Sequence, residues 1–193
     1  MKKLLDEWNL RFFKALNGAP ISAIEDYNMS HFLNRSSLGS APATENQIAI
    51  FEIKYDLTLC PDLKDFYLST NGWELPFFDA DPNKILNIGD IIFTKEMDSE
   101  FEEWCYSVDD FDDTQYSVED KFTYMRRRDM STSLAISPMV DCGCVIANPG
   151  YKKKGKWEIF LYTPRAICQR FSSFQEYLEF AFSKNLAGLA GIK

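Results

Sequence analysis

The chain has 193 residues, a net charge of −8 and a pI near 4.7, with 46% hydrophobic and 15% aromatic content. That length supports one domain burying roughly 70% of its unfolded surface, which excludes general disorder and any need for a metal or disulfide staple. The acidity argues against sequence-independent nucleic-acid binding and against an anionic membrane surface, both of which need excess Lys and Arg, and fits a basic partner instead.

The opening MKKLLDEWNLRFFKAL imitates a signal peptide, but Asp6, Glu7, Asn9 and Arg11 interrupt its apolar run, so a cytoplasmic protein is expected. No stretch reaches the ~18 consecutive apolar residues of a membrane span. Five cysteines, an odd number without framework spacing, fit reduced thiols. Leu5, Trp8, Phe12 and Leu16 recur at helical steps, which predicts an amphipathic helix over 3–16, stopped by Asn17-Gly18. Residues 17–43 are rich in Ser, Asn, Ala and Pro and read as an irregular connector. Thr44 and Gln47 form a capping-box pattern before a helix with Ile48, Phe51 and Tyr55 on one face. Pro61 then suits the first position of a second helix, with Leu63, Phe66 and Tyr67 as its buried stripe. Asn71-Gly72 supplies a residue able to take positive φ at the end of that helix, and Trp73 packs where it hands over.

Beyond this hairpin the period shortens toward two. ILNIGDIIF (85–93), TSLAIS (132–137), CGCVIA (142–147) and WEIFLY (157–162) read as strands, with NPGYKKKGK a turn carrying a basic tip. Phe174, Tyr177, Leu178, Ala181 and Phe182 form a closing helix capped by Ser172 or Ser173. Helices, then short strands, then a last helix predict an α+β fold with a mainly antiparallel curved sheet flanked by helices, in a single domain. Residues 1–38 form an N-terminal helix and connector, and 39–193 the α+β domain proper.

Little in the chain signals catalysis. The lone histidine, His31, falls in the connector, where a satisfied loop residue is the ordinary reading. Cys142 and Cys144 could share a strand face, yet no second pair supplies ligand spacing, so small buried hydrophobes fit better. Phosphate-cradling and nucleophile-elbow motifs are absent, and no cofactor or metal is expected. The outstanding segment is EMDSEFEEWCYSVDDFDDTQYSVED, residues 96–120, with eleven Asp or Glu and no Lys or Arg. Phe101, Trp104, Tyr106, Phe111 and Tyr116 interleave its carboxylates. Such a surface attracts cations at range and anchors by burying rings, although a charge run is more often a solvated face.

Taken in order, PATENQIAIFEIKYDLTL, LCPDLKDFYLSTNGW, ANPGYKKKGKWEIFLY and FSSFQEYLEF resemble the SUKH superfamily (Smi1/Knr4-like), which includes yeast cell-wall-synthesis regulators and bacterial toxin-immunity proteins. The likeness spans about residues 39–183; a cysteine interrupts the Leu-Pro start of the second helix, and Asp56-Leu57 stands where a glycine is common. It implies a small non-enzymatic α+β protein that binds a cognate protein toxin, with a basic nuclease-type domain as the expected target. A regulatory or scaffold module of the yeast kind is the alternative. With an immunity role, the expected contact is made by Glu100, Glu102, Glu103, Trp104, Asp109, Asp110, Phe111, Asp112, Asp113 and Tyr116.

Overall fold

The computed structural model describes residues 1–26, 28–76, 84–97, 125, 127–139, 143–162 and 168–191. The fold is α+β with antiparallel sheets and N-terminal helices, as the pattern of elements predicts. Helix α1 (Lys2–Asn17) buries Leu5, Trp8, Phe12 and Leu16, the residues whose spacing defined it. The expected connector is more ordered than its composition suggests. It holds a short helix α2 (Ile21–Asp26) and a 3-10 turn (Ser30–Phe32), and buries Ile24, Met29, Phe32 and Leu38.

Helix α3 (Glu45–Tyr55) starts on a complete capping box, in which Thr44 Oγ1 accepts from Gln47 N and Gln47 Oε1 accepts from Thr44 N. Helix α4 (Pro61–Ser69) begins with proline where no N–H is required. Its end differs from expectation: Thr70 is extended, and Gly72, at φ +105, serves the turn into the next strand rather than capping the helix. A side chain at Gly72 would stand 2.7 Å from Asn87 Oδ1, so that approach needs glycine.

Strands β1 (Trp73–Glu74) and β2 (Lys84–Ile85) make a two-stranded antiparallel sheet. The expected strand over 85–93 is broken. Asn87 and Asp90 fold Ile88–Asp90 into a 3-10 turn, with Asp90 N donating to Asn87 O at 2.9 Å and Asn87 Nδ2 to Asp90 Oδ2 at 3.0 Å. This turn lets the chain pass from the small sheet to β3 (Ile92–Phe93) of the large one.

The large sheet runs β3-β4-β5-β6-β7 in sequence order, all antiparallel, with β4 (Leu134–Ala135), β5 (Cys144–Lys153), β6 (Lys156–Tyr162) and β7 (Gln169–Phe171). The expected turn over NPGYKKKGK is largely strand. Pairing shifts between Asn148 and Lys152, a bulge that takes Pro149 out of the ladder, and resumes at Lys152↔Trp157. Only Lys154 and Gly155, both at positive φ, make the turn itself. A short helix α5 (Arg127–Met130) precedes β4, and α6 (Phe174–Gly191) closes the fold. Ser173 Oγ accepts from Glu176 N at 3.1 Å to cap α6, and Asp62 Oδ2 reaches from α4 to accept from Gln175 N at 3.3 Å.

Strand alternation divides the interior. Val145, Ala147, Trp157, Ile159, Leu161 and Phe171 face the helices and join the main core, which runs from Leu5 to Phe182. Cys144, Ile146, Phe160 and Cys168 face the other way and, with Met130, form a second, smaller core. Within the main core Trp8 stacks on Phe182 at 4.3 Å and Phe66 meets Phe174 edge-on at 4.9 Å, so the first and last helices are packed together. Asn9 adds a polar tie, accepting from Leu38 N at 2.9 Å. Phe12 is wholly buried. Replacing Phe12 with Ala is therefore expected to cost about 3–5 kcal/mol in urea unfolding, whereas a loss below ~1 kcal/mol would make α1 a peripheral attachment.

Candidate functional site

Two regions of the described surface could carry function: the outer face of the large sheet and a cleft beside β1. On the outer face, pleat and register place Asn148 directly opposite Glu158, and Arg170 opposite Phe160 one diagonal step away. Glu158 and Arg170 are 2% and 6% exposed, so neither charge is solvated. Arg170 donates through Nε at 2.7 Å and lies through Nη2 at 2.5 Å from the same Glu158 Oε2, while Asn148 Nδ2 donates to Glu158 Oε1 at 2.6 Å. Asn148 Nδ2 also meets Asp129 Oδ2 at 3.0 Å, and its Oδ1 accepts from Gly150 N at 2.9 Å. Tyr151 closes the group, its ring 5.0 Å from the Arg170 guanidinium carbon.

This network reaches α5 through Asp129 and thereby holds the chain where it returns from the acidic segment. Thr94, in the 3-10 turn Thr94–Glu96, holds the departing side: its N–H donates to Ser133 O at 2.9 Å and its hydroxyl to Met130 O. Ser133 Oγ donates to Asp129 O at 2.7 Å and lies 3.4 Å from Met125 Sδ. Met97 and Met125 both pack against the small outer core. The described residues on either side of 98–124 thus rest on one apolar patch.

All ten expected contact residues, Glu100, Glu102, Glu103, Trp104, Asp109, Asp110, Phe111, Asp112, Asp113 and Tyr116, lie outside the described residues. The net charge is nevertheless concentrated there. Residues 96–120 hold eleven of the chain's 29 acids and none of its 21 bases, so the remainder is net positive.

The cleft, about 580 Å³, is lined in part by His31, Phe32, Trp73, Glu74, Asn87 and Asp90. Trp73 is buried, bridged to Gly39 and paired with Ile85, and its Nε1 has no hydrogen-bond partner among the described residues. Glu74 is committed to Arg35 at 2.6 Å, and His31 Nε2 stands 4.0 Å from Glu74 while Nδ1 lies 3.0 Å from Asn28 O. No described serine, threonine or cysteine shares a hydrogen bond with His31, so no nucleophile–base pair is assembled there. Cys60, Cys144 and Cys168 are buried free thiols, and burial, reinforced by the Asp62 carboxylate, pushes the Cys60 thiol up to about 12. Cys142 lies outside the described residues. Among the described residues no cluster of His, Cys, Asp and Glu could hold a metal, and no helix is long and apolar enough to cross a membrane.

Sequence reasoning did not anticipate the outer-face network. Its one visible signal was Glu158, the single charge inside an otherwise apolar strand. A buried carboxylate requires a buried partner, and Arg170 is the base of the neighbouring strand.

A sheet with two buried faces, and a fixed exit and return for an acidic segment, define a small α+β domain. A sequence model of the SMI1 / KNR4 family (SUKH-1) matches residues 42–179, and the chain belongs to that family. The family includes toxin-immunity proteins and is known for non-catalytic domains. No curated protein matches the chain.

Removing Arg170 alone strands Glu158 in the interior. Arg170→Met is expected to cost about 3–5 kcal/mol, and combining it with Glu158→Leu to recover most of that loss. Urea unfolding of both variants checks this, and equal losses in the single and double variants would contradict the assignment.

Proposed function

We propose that this chain is a cytoplasmic immunity protein that binds a cognate toxin domain and neutralises it by protein–protein contact, without catalysis of its own. The observation that carries this reading is the confinement of the net negative charge to residues 96–120, a segment whose flanks rest on one side of the large sheet. Membership in a family that includes immunity proteins supports it. A nuclease-type toxin presents a basic groove for phosphates, and a dense array of carboxylates on an inhibitor can stand in for that substrate. Complementary charge raises the rate of encounter, while aromatic rings among the carboxylates supply buried area once contact is made. Trp104, Phe111 and Tyr116 are the anchors of that contact, and Glu100, Glu102, Glu103, Asp109, Asp110, Asp112 and Asp113 its steering charges. A regulatory scaffold module would share the fold, but a run this acidic fits one basic target better than many unrelated partners.

Co-expression with the toxin domain encoded beside its gene is expected to restore growth, and survival no better than with an empty vector would contradict the role. Reversing the seven named acids to Lys is expected to slow association roughly tenfold or more at low salt and to flatten its salt dependence. An unchanged association rate would move the contact to another surface.

A further inference from the structure

The acidic segment leaves and rejoins the large sheet through its two shortest strands. β3 and β4 pair through two residue couples, Ile92↔Ala135 and Phe93↔Leu134, yet the chain between them runs from Thr94 to Ser133. Holding the ends of so long a connection together costs entropy that two couples offset poorly. Buried polar groups extend the closure. Thr94 and Ser133, both buried, follow the last couple: Thr94 N–H donates to Ser133 O at 2.9 Å, and the Thr94 hydroxyl donates to Met130 O. Asp129 gathers the returning side. Its carbonyl accepts from Ser133 Oγ at 2.7 Å and from Thr132 Oγ1 at 3.2 Å, and its carboxylate accepts from Asn148 Nδ2 at 3.0 Å. A Cβ at Gly150 would stand 3.2 Å from Asp129 Oδ1, so the missing side chain lets that carboxylate lie close against β5.

Cohesion alone would be met more simply by apolar side chains of similar size, which carry no desolvation penalty. What the polar groups add is direction, because each hydrogen bond sets one atom of the neck against one other atom. We infer that Thr94 and Asp129 are positioning residues for the toxin contact proposed above, closing a neck that sets where residues 96–120 leave the sheet and where the chain returns. The inference rests on that functional reading and adds to it the reason the carboxylates act together. Fixed ends limit the arrangements open to the segment before binding, so less freedom is lost on contact. An open neck would divide the free protein among arrangements of which only a fraction can bind, and apparent affinity falls by that fraction.

The test is the equilibrium affinity of the full chain for the toxin domain encoded beside the gene, prepared in an inactive form. Thr94→Val keeps the shape of threonine and loses the hydroxyl, whereas Thr94→Ser keeps the hydroxyl. Phe12→Ala, in the main core on the inner side of the sheet, controls for stability alone. Binding is measured at a temperature where every variant is fully folded. Thr94→Val is then expected to weaken it roughly tenfold, with Thr94→Ser within about threefold of the parent. Phe12→Ala is expected to stay within about threefold as well, although its unfolding midpoint falls further. Asp129→Ala, which removes the tie to Asn148, is expected to weaken binding as Thr94→Val does. If Thr94→Val binds within about twofold of the parent, or no more weakly than Thr94→Ser or Phe12→Ala, the neck does not position the segment and the functional reading stands. If the parent does not bind, the functional reading fails and this inference falls with it.

Discussion

The Glu158–Arg170 pair on the outer face of the sheet is the constraint around which the outer half of this protein is arranged. Two charges removed from water cost far more than one ion pair returns unless their remaining hydrogen-bonding capacity is also met. Here Asn148 and Asp129 join the pair and Tyr151 covers the guanidinium. A slip of one residue in β6 or β7 would turn one charge to the opposite face and leave the other buried alone, and a slip in β5 would remove Asn148 from Glu158, so the network specifies register as well as adding cohesion. Through Asp129 it also fixes α5, the element on which the chain returns from its acidic segment.

The two faces of the sheet divide the work. The inner face, led by Trp157, Ile159 and Leu161, is packed by α1, α3, α4 and α6 and carries most of the apolar burial. The outer face holds only a small core, and several of its apolar partners, Met97, Met125 and Met139, are methionines. Methionine adapts to irregular surroundings, which suits an apolar patch flanking a long insertion. Charge is divided along the sequence as well. Carboxylates crowd into 96–120, while Lys152, Lys153, Lys154 and Lys156 cluster at the exposed tip of the β5–β6 hairpin. The sequence is bipolar, and a net charge of −8 understates the acidity of residues 96–120.

Elements whose signals are local were legible in the sequence. The capping box at Thr44, the proline opening α4, and the spacing of Leu5, Trp8, Phe12 and Leu16 each involve residues within a turn or two of one another, and each is present. Features set by distant neighbours were not. ILNIGDIIF looks like one strand because it is apolar, yet Ile88 N donates at 2.7 Å to Asn71 Oδ1 from the turn after α4, and the chain breaks there between two sheets. ANPGYKKKGK looks like a turn because proline and glycine punctuate it, yet pairing with β6 continues beyond the bulge. β7 was missed because three residues give too little periodicity to read. The buried network was hidden for the same reason, since Glu158 and Arg170 acquire meaning only when register sets them side by side. As for the candidate site, composition located the acidic run, but only the fold shows that both of its flanks rest on one apolar patch.

The proposed function makes residues 98–120 the segment that receives the toxin domain. Hydrogen–deuterium exchange of the chain alone and saturated with that domain reads this directly, because binding slows exchange where backbone amides are covered or ordered. Slowed exchange concentrated in 98–120, with the β5–β6 tip and the cleft beside Trp73 unchanged, is the predicted result. Slowed exchange at the cleft or the lysine tip, with 98–120 unaffected, would contradict the account.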